Sequence, residues 1–341
     1  MFPTRLGMSR RIEMGGRGTV LVTGAAGFIG SHLVERLARD GHRVRAFIRY
    51  NGRDDRGCLE WLEPDVLAQV EVVRGDLKDP EAVRRAVRGC SRVFHLGALI
   101  AIPYSYENPL DVIQTNIEGT AHVLNACRDS DSLDRVVLTS TSEVYGTAQR
   151  VPIDESHPLV GQSPYAASKI GSDALGIAYH RSFGTPVTIL RPFNTFGPRQ
   201  STRAIVPTIL SQALVGSTLK LGSLAPRRDL TEVSDTVAGF VGIAECDAAL
   251  GRVVNIGRGW DVSIGELVEL TGQVLGRRLS VETDPQRLRP ATSEVGRLLA
   301  DASLARRLFG WEPRVSLEEG LRRVADHLRA HPTRRVGHYA T

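Results

Sequence analysis

A glycine-rich turn near the start of the chain constrains its fold more than any other feature of the sequence. An apolar run at 19–22 leads into Thr23-Gly24-Ala25-Ala26-Gly27-Phe28-Ile29-Gly30, and an amphipathic helical pattern follows at 31–40. Glycines at a strand-to-helix turn let the backbone approach a pyrophosphate, whose charge then lies against N–H groups at the helix start. In this context the motif predicts a dinucleotide site that uses Gly24, Gly27, Phe28, Ile29 and Gly30. A glycine turn that binds no ligand is the alternative.

Strand and helix patterns alternate along the first 191 residues. Short β-branched runs occupy 19–22, 44–48, 70–73, 92–96, 135–139 and 187–190, and helical patterns lie between them at 31–40, 80–88, 111–128 and 165–183. This alternation predicts an α/β fold built on a doubly wound parallel sheet of the Rossmann type, with right-handed crossovers. We therefore expect residues 19–191 to form a dinucleotide-binding domain.

Loops and helices with short strands dominate the sequence from Pro192 onward. They predict a smaller C-terminal α/β lid packed on the strand ends, which would make 192–331 mainly a substrate-binding domain. Its elements are expected at 205–215, 253–256, 264–275, 303–309 and 317–328. Residues 1–18 are rich in Arg and Gly and lack the apolar segment of a signal peptide, so we expect a disordered leader there. We also expect a short tail at 332–341.

Composition narrows the classes of partner. The sequence has no run of about 18 apolar residues, so we expect no membrane span and a cytoplasmic location. The four cysteines are scattered without a C-x-x-C pair, which indicates buried thiols rather than a disulfide frame or a metal site. The net charge is +5, but the arginines are dispersed along the chain, so we expect an anionic small ligand and no nucleic acid.

Five further positions are expected to contact the cofactor. An NAD enzyme usually has an acidic residue at the end of its second strand, but here the strand at 44–48 is followed by Arg49. A guanidinium can pair with a 2′-phosphate, so we favour NADP; NAD with a solvated Arg49 is the alternative. Asp76 and Leu77 follow the third strand, near the adenine, and Leu96 and Ala98 close the fourth strand beside the cofactor.

A tyrosine and a lysine at the start of a predicted helix have the spacing of a catalytic pair. In Tyr165-Ala-Ala-Ser-Lys169 the i, i+4 spacing places both side chains on one helical face. The ammonium and a positive nicotinamide ring should lower the pKa of the phenol from about 10, so that a phenolate can accept a hydroxyl proton as hydride leaves the same carbon. A surface Tyr–Lys pair is the alternative, although the chain has only three lysines.

The fifth predicted strand ends in a second polar cluster, Thr139-Ser140-Thr141-Ser142-Glu143. Strand ends of a doubly wound sheet face the ligand crevice. Thr141 should hydrogen-bond the reacting hydroxyl next to Tyr165, and Glu143 supplies a carboxylate that a reductase or a simple epimerase would not need. The other interpretation of Glu143 is a helix cap or a surface glutamate.

These motifs, together with Arg191-Pro192-Phe193-Asn194, resemble the signature of extended short-chain dehydrogenases/reductases that act on nucleotide sugars. The resemblance covers about 19–331 and implies a nicotinamide cofactor, a nucleotide-sugar substrate and a homodimer formed by the helices at 111–128 and 165–183. It also implies that Asn194 and Arg228 hold the substrate diphosphate, a group to which bidentate arginine is suited. Arg289 is a further candidate for contact with the nucleotide.

Within that family the chain is similar to sugar-nucleotide 4,6-dehydratases of the GDP-mannose type. It is more similar still to dehydratases of the legionaminic acid pathway, which act on a nucleotide-linked N-acetylglucosamine. The matching stretches lie at 102–106, 140–149, 161–165 and 191–200. The dTDP-glucose dehydratases carry Asp where Ser142 stands, so we expect Ser142 to contact the substrate and Glu143 to serve as both base and acid.

The resemblance leaves three other functions open. They are a nucleotide-sugar 4-epimerase, a decarboxylase of a nucleotide-linked uronic acid, which shares Thr-Ser-Glu at 141–143, and a nucleotide sensor without catalysis. Intact Thr141, Tyr165 and Lys169 disfavour the sensor, and the residues around Tyr165 disfavour the decarboxylase. We therefore expect a 4,6-dehydratase that forms a 4-keto-6-deoxy sugar through transient oxidation at C4.

Overall fold

The structure of the protein is a computed structural model that describes residues 18–287 and 296–331. The strands in these ranges are β1 (Thr19–Thr23), β2 (Arg43–Arg49), β3 (Val70–Gly75), β4 (Cys90–His95), β5 (Arg135–Thr139), β6 (Val187–Pro192), β7 (Thr195–Phe196), β8 (Thr218–Leu221), β9 (Arg227–Asp229), β10 (Thr231–Glu232), β11 (Val253–Ile256), β12 (Asp261–Ser263), β13 (Ser280–Thr283) and β14 (Arg297–Leu298). The α-helices there are α1 (Phe28–Arg39), α2 (Pro64–Leu67), α3 (Pro80–Val87), α4 (Ile102–Glu107), α5 (Pro109–Ile113), α6 (Gly119–Arg128), α7 (Pro164–Phe183), α8 (Ile205–Val215), α9 (Val233–Glu245), α10 (Ile264–Leu275), α11 (Ser303–Phe309) and α12 (Leu317–Ala330).

Seven strands form one parallel sheet in the order β11-β6-β5-β4-β1-β2-β3. β1 lies near the middle and pairs with β2 on one side and with β4 on the other. The chain therefore builds the sheet outward from β1 in one direction, crosses over, and continues in the other. This is the doubly wound Rossmann sheet that the sequence predicted, and the prediction is confirmed.

Helices cover both faces of this sheet because successive side chains of a strand point to opposite faces. On one face Val20, Val22 and Phe94 pack in a buried cluster with apolar residues of α1 and α9. On the other face Leu21 and Val93 pack with residues of α3 and α6. The strand ends are thus held rigidly between two apolar layers.

Much of the part of the chain predicted as a lid forms a smaller α/β layer, whose strands belong to small sheets separate from the main one. β8 pairs with β13, and β9 lies between β12 and β14. A third apolar cluster joins α8, α10 and α12 and includes Phe196, Leu210, Leu267 and Leu321. The lid therefore has a core of its own.

The sequence predicted a domain boundary after Arg191, but the chain returns to the main sheet beyond that residue. β11, which the sequence analysis placed with the lid, pairs with β6, and α9 packs against α1. The reason is that β6 is buried along its whole length and needs a partner on its outer side, which the apolar run containing Val254 and Ile256 provides. The layer built on the main sheet thus takes in part of the C-terminal half.

Three of the predicted features fall wholly or almost wholly outside the described residues. They are the leader (residues 1–17 of it), the tail at 332–341 and the contact residue Arg289. Among the helices that the structure does describe, none combines the length and the apolar character that crossing a membrane requires.

Candidate active site

A cleft of about 490 Å³ opens at the carboxyl ends of the central strands. Its wall brings together most of the predicted cofactor, catalytic and substrate residues, although they come from distant parts of the sequence. These are Gly24, Gly27, Phe28, Ile29, Gly30, Arg49, Asp76, Leu77, Leu96, Ala98, Thr141, Ser142, Glu143, Tyr165 and Asn194. Ligands of open parallel α/β sheets bind at this edge.

The glycine turn between β1 and α1 fits a pyrophosphate. Gly24 has a φ of +68°, and a Cβ there would lie 2.7 Å from the backbone N of Gly97. A Cβ at Gly30 would collide with the Gly24 carbonyl oxygen. No side chain within the described ranges caps α1 at Gly27, so the first N–H groups of the helix and its dipole are available at the cleft. The residues at this end therefore fit the diphosphate of a nicotinamide dinucleotide.

Charged groups of both signs lie where β2 and β3 end. Arg49 Nε is 4.0 Å from Asp76 Oδ2, and the Arg49 side chain is 72% exposed, so the guanidinium can turn toward a 2′-phosphate. Lys78, which the sequence analysis missed, also lines the cleft, and its Nζ lies 3.0 Å from Asp111 Oδ1. The Tyr104 hydroxyl donates to the other oxygen of the same carboxylate at 2.8 Å. Lys78 directly follows the predicted cofactor contacts Asp76 and Leu77, and this adjacency is the sequence signal that could have identified it.

Helix α7 carries the predicted tyrosine and lysine. Ser163 caps the helix by accepting the backbone N–H of Ala166 at 3.1 Å, and Pro164 occupies the first turn, so the helix begins just before Tyr165. Tyr165 is 7% exposed and Lys169, one turn further along, is 4% exposed. Both side chains are therefore buried rather than on the surface, and Tyr165 lines the cleft.

A short 3-10 turn at Ser142–Tyr145 carries the predicted carboxylate. Thr141 caps this turn, because its Oγ1 accepts the backbone N–H of Glu143 at 3.2 Å. The Thr141 side chain also hydrogen-bonds the Tyr165 phenol, and the charge of Glu143 acts on the same phenol. The capping role thus belongs to Thr141, and Glu143 lies on the cleft wall.

Burial dominates the electrostatics of the pair within the chain itself. It raises the pKa of Tyr165, and the hydrogen bond from Thr141 opposes that shift. The physical reason is that moving a phenolate out of water costs more than the neighbouring groups of the chain return. Burial likewise lowers the pKa of Lys169, and the carboxylate of Asp173 opposes that shift. The expected lowering of the Tyr165 pKa by Lys169 together with a positive nicotinamide ring stays a prediction.

His95, at the end of β4, is a buried group that the sequence analysis did not assign a role. Its Nδ1 lies 2.7 Å from Thr23 Oγ1 and its Nε2 3.1 Å from Thr120 Oγ1. The same Thr23 hydroxyl accepts the backbone N–H of Gly97. These hydrogen bonds connect the end of β1 to the segment that follows β4. Burial lowers the pKa of His95 to about 3, and the charge of Lys169 adds to the shift.

Asn116 was also missed, because only long-range contacts give it a role. It lies in a π-helical turn, Gln114–Glu118, which joins α5 to α6. Its amide accepts the backbone N–H of Leu99 at 2.8 Å and donates to the Leu99 carbonyl and to Ser168 Oγ, each at 2.9 Å. Asn116 therefore ties the segment after β4 to the helix that carries Tyr165.

The predicted diphosphate contacts are divided between the cleft and the lid. Asn194 lines the cleft, and its Oδ1 is buried without a hydrogen-bond partner in the described part of the chain. Arg228 lies in β9 and is 9% exposed, and its Nη1 donates to the carbonyl of Arg227 at 2.9 Å. Gln200, which the sequence analysis did not single out, lines the cleft beside Asn194.

The cysteines and the acidic and imidazole groups form no metal centre in the part of the chain that the structure describes. All four cysteines are free thiols, and Cys90 and Cys127 are buried. Burial raises the pKa of both of these thiols.

Known proteins match this chain over most of its length. The family model described as GDP-mannose 4,6 dehydratase matches residues 21–324. The chain belongs to this family. The UDP-glucose 4-epimerase of Mycolicibacterium smegmatis is 34% identical over 317 residues, which cover 91% of this chain and 98% of that protein. UDP-glucuronic acid decarboxylase 1 of Xenopus tropicalis is 30% identical over 327 residues, covering 92% of this chain and 72% of that protein.

A solved structure shares the fold as well. TunA, described as an NAD-dependent NDP-hexosamine 5,6-dehydratase involved in tunicamycin biosynthesis, is similar with a TM-score of 0.79 and 29% identity, covering 92% of this chain and 99% of that chain. The chain is thus an enzyme of the family of NAD-dependent nucleotide-sugar dehydratases, epimerases and decarboxylases, and the predicted resemblance is confirmed. These relatives carry out different reactions, so the choice among them rests on the site.

Proposed function

We propose that this family member is a nucleotide-sugar 4,6-dehydratase, a lyase that converts an NDP-hexose of the N-acetylglucosamine type to the 4-keto-6-deoxy sugar. The observation that carries the proposal is the position of Glu143. Its carboxylate lies on the cleft wall, close enough to Tyr165 for its negative charge to raise the pKa of the phenol. Oxidation and reduction at C4 need only the Tyr165 group, whereas elimination of water also needs a base for the C5 proton.

Tyr165 takes the proton of the C4 hydroxyl, and Thr141 orients the phenol through its hydrogen bond. Because burial raises the pKa of Tyr165, its phenolate needs nearby positive charge, which the Lys169 ammonium on the same helical face supplies in part. A nicotinamide dinucleotide held at Gly24, Gly27 and Gly30 would supply the hydride acceptor for C4 and the hydride donor for C6, and its oxidised ring would add positive charge near the phenol.

Glu143 removes the C5 proton, which the C4 ketone has made acidic. The C6 hydroxyl needs a proton to leave as water. Since Glu143 is the one acid in the turn Ser142–Tyr145, it returns to that hydroxyl the proton it took from C5. C5 then regains a proton that originates in solvent, so the net change is the loss of one water.

The remaining residues bind the two nucleotides. Asn194 and Arg228 hold the substrate diphosphate, and Ser142 contacts the sugar near C6. Arg289 contacts the substrate nucleotide. For the cofactor we favour NADP, because the exposed Arg49 guanidinium lies at the end of β2. NAD is the alternative, since TunA is described as NAD dependent.

We also propose a homodimer formed by the helical segments at 111–128 and 165–183. Support comes from large apolar side chains that these segments leave exposed: Ile113 is 39% exposed and Phe183 is 55% exposed. Pairing of such surfaces between two copies would remove them from water.

A 4-epimerase is the second candidate, because a relative of that activity is 34% identical to this chain. The test is incubation with UDP-, GDP- and dTDP-linked glucose, N-acetylglucosamine and glucuronic acid, with the product read by mass. A dehydratase yields a product that lacks one water, an epimerase a product of unchanged mass, and a decarboxylase a product that lacks carbon dioxide. Turnover that yields only products of unchanged mass would overturn the dehydratase assignment.

A further inference from the structure

A buried carboxylate lies on the same helical face as the catalytic pair. Tyr165, Lys169 and Asp173 follow one another at intervals of four residues in α7, a spacing that stacks side chains on one face. Asp173 is 4% exposed. Its Oδ2 accepts hydrogen bonds from Ser140 Oγ at 2.7 Å and from Arg191 Nε and Nη2 at 3.0 and 2.8 Å. The carboxylate therefore holds β5 and β6 against α7.

The guanidinium of Arg191 extends these contacts to the turn that carries Glu143. Arg191 Nη1 donates to the Tyr145 hydroxyl at 2.9 Å, and the guanidinium carbon lies 5.0 Å from the centre of the Tyr145 ring. The Tyr145 hydroxyl donates in turn to Asn255 Oδ1 at 2.7 Å. Tyr145 is the last residue of the turn Ser142–Tyr145, so a continuous buried network connects the Lys169 helix to the Glu143 turn.

Charge gives this network a role beyond packing. Burial of the Lys169 ammonium disfavours its charged form and lowers its pKa. The negative charge of Asp173 acts in the opposite direction and makes that decrease smaller. The other ionisable groups near the pair are His95 at the end of β4, Glu143 on its turn and Arg191 on β6. Asp173 also raises the pKa of Tyr165.

We infer that Asp173 is a positioning residue for the reaction: one helical turn beyond Lys169 it places a negative charge that favours the ammonium and, through Arg191 and Tyr145, it sets the place of the turn that carries Glu143. This inference rests on the proposed roles of Lys169 and Glu143. Asp173 itself touches neither reacting carbon. It acts through the residues on either side of it.

The most direct test measures the titration of the Lys169 side chain by NMR. The chain has only three lysines, so a protein labelled with carbon-13 at lysine Cε gives three NMR signals, and Lys78→Arg and Lys220→Arg variants assign two of them. In Asp173→Asn the amide keeps the shape and one acceptor oxygen but loses the charge. We expect the titration midpoint of Lys169 to fall by about one pH unit or more, which is tenfold in the acid dissociation constant.

Asp235→Asn is the matched control. Asp235 is also a buried aspartate on a helix, where its carboxylate accepts the backbone N–H groups of Arg314 and Val315 at 2.9 Å each, but it lies in α9 and outside the network. Its substitution should leave the Lys169 midpoint unchanged. If the midpoint stays in place in Asp173→Asn, or moves equally in both variants, the inference is wrong.

Asp173→Asn leaves the Arg191 guanidinium buried without its carboxylate, so the variant can fail to fold. The double variant Asp173→Asn/Arg191→Met removes both charges and keeps apolar volume. The midpoint of Lys169 should fall in it by less than in Asp173→Asn, because the repulsion by Arg191 is lost together with the attraction by Asp173. An unchanged midpoint in the double variant would overturn the inference.

A second measurement compares the pH profile of turnover in Asp173→Asn with that of the wild type. Removing a negative charge lowers the pKa of Lys169 and of Tyr165 together, so both limbs of the profile should move to lower pH. A loss by the same factor at every pH would show a purely structural role. Because the NMR titration needs no substrate, it stands even if the product of the enzyme is not the dehydrated sugar.

Discussion

Replacing His95 with glutamine should remove a defined part of the pH dependence of stability. The ring is 3% exposed, and its protonation state follows from its partners. Thr120 donates its hydroxyl proton to the Asn116 carbonyl at 2.6 Å, so it accepts from His95 Nε2, and Nδ1 is left to accept from Thr23. The imidazole is therefore neutral in the folded protein, and a proton on Nδ1 would displace the one that Thr23 donates to it.

The magnitude follows from the two pKa values. Burial lowers the pKa of His95 from 6.5 to about 3, whereas the unfolded chain binds this proton at the ordinary value. The stability that His95 contributes is thus complete above the unfolded pKa and is lost as the pH falls from there toward the folded pKa. Between about pH 8 and about pH 5.5 the loss amounts to about 1.4 kcal/mol.

Urea unfolding of the wild type and of His95→Gln at these two pH values measures the effect. The substitution itself destabilises, but the free energy of unfolding that it removes should be smaller by about 1.4 kcal/mol at the lower pH, because other groups titrate alike in both proteins. An equal difference at both pH values would show that His95 is not held neutral by burial.

The other predictions concern the catalytic pair and the cofactor. Tyr165→Phe should bind cofactor and sugar nucleotide normally and lose a factor of about 10² to 10⁴ in turnover, since only the proton acceptor is removed; turnover within about tenfold of the wild type would exclude Tyr165. Arg49→Asp should move the ratio of NADP to NAD dissociation constants toward NAD, because a carboxylate accepts from ribose hydroxyls and repels a 2′-phosphate. Tighter binding of NAD than NADP by the wild type would refute the NADP assignment.

Elements whose limits are encoded locally could be predicted from the sequence. The fifth strand was predicted at 135–139 and lies at Arg135–Thr139, because consecutive apolar residues such as those at 136–138 are typical of a strand buried on both faces. The helix predicted at 264–275 lies at Ile264–Leu275. Ser263 and Glu266 form a capping box at its start, and Gly276 ends it in the left-handed conformation.

Features that depend on distant parts of the chain could not be predicted in this way. The run at 253–256 was predicted as an element of the lid, but its place beside β6 depends on which strand edge is left open after folding. Asp173 and Asn116 look like ordinary polar helix residues, and only their partners on other elements give them a role. The burial that raises the pKa of Tyr165 was likewise not predictable, because the spacing of Lys169 says nothing about how deeply the phenol is buried.

The most direct test of the proposed reaction is to run the wild type and Glu143→Gln in deuterated water and to analyse both sugar and cofactor. The wild type should release a 4-keto-6-deoxy product with deuterium at C5, because the C5 proton is removed and replaced from solvent. Glu143→Gln should oxidise C4 with Tyr165, Thr141 and Lys169 intact, accumulate reduced cofactor, and eliminate little water, since an amide is not a usable base. If Glu143→Gln still eliminates water at a rate close to that of the wild type, another residue is the base. If the wild type returns a sugar of unchanged mass without deuterium at C5, the enzyme is not a dehydratase.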